Sequence, residues 1–318
     1  MEDASAMGGE RFVSAPEDLR RLRRYDLRDR KSLFAEAALA KPVGPEAALA
    51  FLRSLPQVHT VREMRAAAGA VVSAVRDGGL VLLMCGAHLV KCGLTPLVVD
   101  LMERGFIGAL ATHGATCVHD IELALTGATS EDVATAIEDG SFGMARDTAG
   151  AFAKAAADAE DGLGRAMGRL TEKLPKAELS LFAACRRLGV AATVHVAVGT
   201  DIVHMHPELD AAALGAASHL DFRRLAGLLP RLEGGVAINF GSAVVMPEVF
   251  LKALSVARNI HGAPRDFVAI NFDQTLHYRP ARNVLERPGG RGYNIVGRHE
   301  VMLPLFRLFV LACSEDLL

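Results

Sequence analysis

The sequence predicts an α/β protein built on a doubly wound, mostly parallel sheet. Three observations carry that prediction. At least five short apolar runs alternate with stretches of helical spacing. The runs are apolar throughout, as in strands buried on both faces. Most of them stop abruptly at Gly, Thr, Asn or Asp, residues suited to a tight exit from a sheet.

In chain order, residues 1–15 are polar and rich in small residues, and a mobile terminus is expected. Residues 16–40 carry helical spacing up to the break Lys41–Pro42–Val43–Gly44. The basic run from Arg20 to Arg24, extended by Arg30 and Lys31, is interleaved with Asp26 and Asp29 and reads as a solvated helix face. Pro45 opens a helix over Glu46–Ser54, and a second helix runs over Val61–Asp77. Residues 1–78 are therefore expected to form an N-terminal helical arm or cap, and residues 79–318 the α/β domain.

Within that domain strands are expected over Leu80–Met84, Phe106–Ala111, Val190–Val198, Gly235–Ile238 and Phe267–Asn271. Helices are expected over Thr95–Arg104, Ile121–Thr126, Ser130–Asp139, Ala145–Lys173, Leu179–Leu188, Phe222–Leu229, Pro247–Arg258 and Glu300–Ala312. Gly189 has the position of a helix-ending glycine. Pro288–Gly292 reads as a turn, with Gly289–Gly290–Arg291–Gly292 either an anion-binding loop or a flexible one. No strong internal repeat is present.

Composition bounds the function. A chain of 318 residues, 51% hydrophobic and 23% charged, can bury a large core, and a formal charge of −2 gives no footprint for general nucleic-acid binding. No apolar run approaches the roughly 18 residues of a membrane span, and no apolar signal core opens the sequence. The five cysteines are odd in number with no CxxC pair, which predicts free thiols and a reducing, cytoplasmic compartment. Cys117 stands in the exit turn of the second strand and reads either as a small buried residue or as a thiol near a helix N-terminus.

The chemistry sits at the strand exits: Gly86–Ala87–His88, Thr112–His113–Gly114–Ala115, Gly199–Thr200–Asp201, Asn239–Phe240–Gly241–Ser242 and Asn271–Phe272–Asp273–Gln274. In an open α/β sheet, ligands bind beyond the carboxyl ends of the strands. Glycine lets backbone N–H groups approach a ligand, while Thr, Ser, Asn and Asp suit phosphate and ribose. Five such exits point to a nucleotide-sized ligand, although turns need these residues for backbone reasons too. The chain has no GxGxxG in the right place and no GxxxxGK[ST].

Four residues are candidates for proton transfer. His119 adjoins Asp120, and His204 and His206 form an HMH triplet after Asp201. Imidazole titrates near neutrality, and an adjacent carboxylate can orient it. On an extended segment His204 and His206 would face one side and could share a metal ion, but no third ligand is fixed by spacing, and no metal is assigned. His88, His195, His219, His261 and His299 read as hydrogen-bonded structure, although His88 also belongs to the first exit.

The series of exits, with Asp120 after the second, resembles deoxyhypusine synthase and its relatives over about Leu80 to Ala312. The stretch around His119–Asp120 also resembles the ornithine cyclodeaminase-type domain of the same fold. The resemblance implies a Rossmann-like fold with NAD wrapped by the strand ends, and a homo-oligomer, dimer or tetramer. The chain departs from deoxyhypusine synthase at its reactive lysine: there is no Trp and no Lys after Lys252. A Schiff base of that type is therefore not available. Arg279 and Arg282 in the following loop suit a small anionic or amino-acid-like substrate. The expectation is an NAD-dependent enzyme that is not itself deoxyhypusine synthase. The alternatives are a non-catalytic nucleotide sensor or a metal-dependent hydrolase using His204 and His206.

Overall fold

The computed structural model describes residues 17–46 and 48–317. The expected mobile terminus at residues 1–15 lies outside the described residues. Six strands form one sheet: β1 Val81–Cys85, β2 Ala109–His113, β3 Ala191–His195, β4 Gly235–Phe240, β5 Phe267–Asp273 and β6 Arg291–Val296. Their spatial order is β3-β2-β1-β4-β5-β6, and every adjacent pair is parallel. This is the order of two mononucleotide-binding halves joined at a switch between β1 and β4. Side-chain alternation splits the core into two layers. Val81, Leu83 and Cys85 face one layer, built on the helices His59–Arg76, Thr95–Glu103, Leu181–Leu188 and His299–Ser314. Leu82 and Met84 face the other, built on Ala211–Leu228 and Val245–His261. The helix His59–Arg76, reached in the sequence before any strand of the sheet, thus packs into the same core as the strands.

Several elements differ from the sequence expectation, each for a physical reason. Of the stretch 16–40, the described residues 17–40 form no long helix. The described part runs as a strap of single turns, Leu19–Arg21, Leu27–Asp29 and Glu36–Ala38. The side chains of Asp18 and Asp26 cap the first two turns, and the strap is pinned to the body by Tyr25 to Glu131 and Arg30 to Glu122. A two-residue strand, Phe34–Ala35, pairs with Ala128–Thr129. The second strand begins at Ala109, because Phe106 closes the preceding helix through its N–H to Leu101 O. It runs straight into the helix Gly114–Thr126 with no loop between. β3 ends at His195, where Ser218 Oγ accepts the next backbone N–H, of Val196, at 3.0 Å. The Ala-rich stretch splits into Arg146–Ala157 and Leu163–Thr171 at Gly162, whose φ of 99° few side chains tolerate. The Gly/Arg turn leads into β6, an edge strand the sequence pattern did not reveal.

Buried carboxylates tie the helices together. Asp120 is fully buried and accepts from Ser180 Oγ at 2.5 Å and Leu181 N at 2.6 Å, capping the helix Leu181–Leu188. Asp221 accepts from Gly164 N and Val194 N, both at 2.8 Å, joining two helices to β3. Asp120→Ala leaves the Leu181 N–H and the Ser180 hydroxyl without their acceptor. It should lower unfolding stability by about 1–3 kcal/mol, read from the urea midpoint, with Asp120→Asn recovering part of the loss.

Candidate functional site at the strand ends

The helices that follow β1 and β4 pack on opposite faces of the sheet, which makes the carboxyl ends of these two strands the switch point where sheets of this kind bind ligands. Two glycines shape it. Gly86 N donates to Phe240 O at 3.0 Å, and a Cβ on Gly86 would lie 2.3 Å from Gly241 O. Gly241 has φ 63°, and a Cβ there would meet the His299 ring at 2.9 Å. Both positions require glycine, the first for space and the second for backbone conformation as well.

Within β4, β5 and β6, near their carboxyl ends, the register places Asn239, Asn271 and Asn294 side by side. Asn239 Nδ2 donates to Asn271 Oδ1 at 2.8 Å, and Asn271 Nδ2 to Asn294 Oδ1 at 2.9 Å. Asn239 Oδ1 is buried without a partner. Ser242 Oγ accepts from Met246 N and so serves the helix Val245–His261. Asp273, at the end of β5, accepts from Gln274 N at 2.7 Å. Its Oδ1 lies 3.7 Å from His299 Nε2, and its Oδ2 lies 3.9 Å from His277 Nε2. His299 is 3% exposed with both ring nitrogens unpartnered. The His88 ring stands 5.8 Å from it, centroid to centroid. Burial lowers the pKa of both imidazoles.

Beyond β1, β2 and β3, a cavity of about 210 Å³ is lined by Lys91, Ala115, His119, Glu122, Thr200 and Asp201. Asp201 is 7% exposed, packs against Gly114, and has an unpartnered Oδ2. Burial pushes its carboxyl up to about 6, against the opposing effect of the Ala115 N–H. The cavity wall is an interlocked polar set. Arg30 and Glu122 pair at 2.8 Å, Thr129 Oγ1 donates to Glu122 at 2.6 Å, and His119 Nδ1 meets that hydroxyl at 2.7 Å.

The sequence candidates thus divide. Gly86, Ala87, His88, Gly241, Ser242, Asn271, Asp273 and Gln274 gather at the switch crevice and the β5 exit. His113, Gly114, Ala115, His119, Thr200 and Asp201 gather on the β2–β3 side. Others are spent on structure. Asp120 does not orient His119, because its carboxylate is aimed at Ser180 and Leu181. Thr112 Oγ1 is buried against Cys85 O at 2.9 Å and Thr116 Oγ1 at 2.7 Å. Thr200 Oγ1 donates to Ala197 O, closing the turn at Gly199. The HMH triplet is not extended: Ile202–Met205 is a 3-10 turn, and His206 Nε2 is held by Gly143 O at 2.8 Å. Among the described residues no group of three His, Cys, Asp or Glu side chains is placed to hold a metal ion. Arg279 pairs with Glu248, which Lys252 also contacts, and Arg282 pairs with Glu286, both at exposed positions. Cys117 is fully buried, and burial raises its thiol well above the usual range, which favours the packing role. His299 is not the hydrogen-bonded structural histidine expected from the sequence: both ring nitrogens lack a partner, and its place at the switch depends on β6. Recognising that edge strand would have put His299 at a sixth exit.

The sequence matches no family model and no curated protein. Among solved structures, unliganded AgrE aligns over 82% of this chain at 15% identity with a TM-score of 0.50. The chain spans 34% of AgrE's length. AgrE in ternary complex with ornithine and NAD+ aligns over the same 82%, at 16% identity and a TM-score of 0.48. A protein described as a deoxyhypusine synthase, from Entamoeba histolytica, aligns over 90% of this chain and 95% of its own, at 11% identity and a TM-score of 0.45. The class so defined is a doubly wound, Rossmann-like α/β protein with a six-stranded parallel sheet. The particular fold is one it shares with AgrE, and no helix among the described residues is long and apolar enough to cross a membrane.

Burial holds the imidazoles of His113, His119 and His195 down to about 4, about 4 and about 3. Each lies below the unfolded value of about 6.5. The stabilisation is therefore complete above pH 6.5 and is lost as pH falls through the folded values. Asp120, Asp201 and Asp221, raised to about 6, act with the opposite sign. His195→Gln should therefore reduce the stability lost between pH 7 and 5 by about 2 kcal/mol relative to the parent. Urea midpoints across that range measure it.

Proposed function

We propose that this protein binds a nicotinamide dinucleotide across its strand ends and uses it as an enzyme on a small substrate. The observation that carries the reading is the parallel order β3-β2-β1-β4-β5-β6 with glycines at both turns of the switch. AgrE, of the same fold, has been solved with ornithine and NAD+. Unpartnered polar atoms give the fit. A carboxamide or ribose hydroxyl can satisfy Asn239 Oδ1 and the His299 nitrogens, which otherwise stay buried and unpaired. In this reading Gly86, Ala87 and His88 receive the central phosphates, Gly241 and Ser242 border the nicotinamide half, and the cavity with Ala115, Thr200 and Asp201 takes the adenosine half. The ring of such a cofactor supplies hydride acceptance.

The substrate end of this reading differs from the arginine pair expected from the sequence. Arg279 and Arg282 already hold carboxylates of their own chain. Arg298 donates to Gln274 Oε1 and pairs with no carboxylate among the described residues. It is the better anchor for an anionic or amino-acid-like substrate.

Two measurements test the cofactor reading. Denatured protein should release NAD, and calorimetry on stripped protein should show NAD+ binding; no binding at millimolar NAD+ ends the proposal. Gly86→Ala should weaken binding at least about tenfold, about 1.4 kcal/mol, because its methyl would drive Gly241 out of place. Gly215→Ala, where a Cβ meets nothing within 4 Å, should leave binding unchanged.

A further inference from the structure

The end of the sheet over β4, β5 and β6 holds one carboxylate among three imidazoles. Asp273 lies between His299 and His277, and His88 faces His299 from the β1 turn. His277 is exposed and His299 buried, so the group reaches from solvent to the crevice. His299 is the first residue of the helix His299–Ser314, directly after Gly297–Arg298 at the exit of β6. Its ring lies over Gly241 and 4.9 Å from Phe240, at the switch itself.

We propose that His299 is the acid–base residue facing the reactive end of the bound nicotinamide, that Asp273 positions it, and that the substrate carries a hydrogen and a hydroxyl or amino group on one carbon. The inference rests on the dinucleotide reading and adds to it a proton carrier and a substrate class. Oxidation of such a carbon must dispose of a hydride and a proton. The C–H bond breaks with its electron pair leaving as hydride to the nicotinamide. The O–H or N–H proton passes to His299 Nδ1, and the C=O or C=N bond forms. Nε2 faces Asp273, whose carboxylate stabilises the imidazolium that results. The 3.7 Å separation is too long for a hydrogen bond, and it shortens as charge develops on the ring.

Two observations support His299 as the proton carrier, and the first sets it apart from His119, His195 and His206. It combines burial with two unpartnered nitrogens, whereas His119, His195 and His206 each meet an oxygen of the protein. A buried imidazole with no partner is a costly arrangement that a ligand relieves. Its environment also keeps it neutral and ready to accept a proton. Burial lowers its pKa, His88 adds to that, and the carboxylates of Asp273 and Glu300 oppose it. Lys91 acts on the neighbouring His88 in the same lowering direction.

The test is the titration of His299 in the two cofactor complexes, followed by NMR on protein labelled with ¹³C-histidine. The His299 resonance is assigned by H299Q and, independently, by its contact with the Phe240 ring. The oxidised nicotinamide carries a positive charge that the reduced ring lacks. The His299 pKa should therefore be at least one unit higher with saturating NADH than with saturating NAD+, a tenfold change in proton affinity. Asp273→Asn should lower that pKa in both complexes, because the carboxylate that stabilises the imidazolium is removed. If both cofactors bind by calorimetry and His299 titrates identically in the two complexes, His299 does not face the reactive end; the inference falls while the dinucleotide reading stands. If neither cofactor binds, the reading beneath it falls and takes the inference with it.

Discussion

The close approach of Gly86 to the Gly241 carbonyl is the constraint on which the rest of the site depends. β1 and β4 are central neighbours, paired from Val81 with Val236 to Cys85 with Phe240. Their pairing continues past the strand ends through Gly86 N to Phe240 O, and only then do the two chains part. A side chain at Gly86 would push the turns apart. The same pair of glycines lets His299 settle over Gly241, which carries no Cβ to exclude it. Crevice, glycine pair and imidazole are thus one arrangement.

Around this centre, buried polar groups fall into two kinds. One kind is engaged on structural partners: Asp120 with Ser180 and Leu181, and Glu122 with Arg30 and with Thr129, whose hydroxyl meets His119. Groups so matched hold elements in register, and removing one partner leaves the other unpaired in a dry interior. The other kind is incompletely engaged: Asn239 Oδ1, Asp201 Oδ2 and both nitrogens of His299. These lie at the strand ends, on either side of the switch. Unpaired atoms also occur on groups that tie elements together, such as Arg30 Nε and Asp221 Oδ1, so it is their position at the strand ends together with the missing partner that sets Asn239, Asp201 and His299 apart.

The strap over residues 17–35 shows how charge pattern can mislead. Its Arg, Asp and Leu residues recur at spacings that suit a helix, yet the strap lies across the body as short turns. Buried partners decide this. Arg30 inserts beside Glu122 with its side chain 7% exposed, and Tyr25 reaches Glu131. A long helix would carry these side chains on one cylinder and could not meet both acceptors. The strap places Arg30 in the wall of the cavity over β1, β2 and β3, so a segment outside the sheet helps define the site.

The sequence by itself determined the alternation of strands and helices, the parallel character of the sheet and the chemistry of the exits. These are local properties: an apolar run, a glycine at a helix end and a polar turn need no distant partner to be read. Only the tertiary structure decided which exits meet. It joined Gly86 to Gly241 across more than 150 residues, and it revealed β6, whose edge position leaves a half-exposed strand with no apolar run to betray it. It turned Asp120 inward and folded the HMH triplet into a 3-10 turn. It also placed His299, which reads in the sequence as hydrogen-bonded structure, at the switch with both ring nitrogens unpartnered. These outcomes depend on packing between segments far apart in the chain, where burial and unpaired hydrogen-bonding capacity are set by neighbours that no local pattern names.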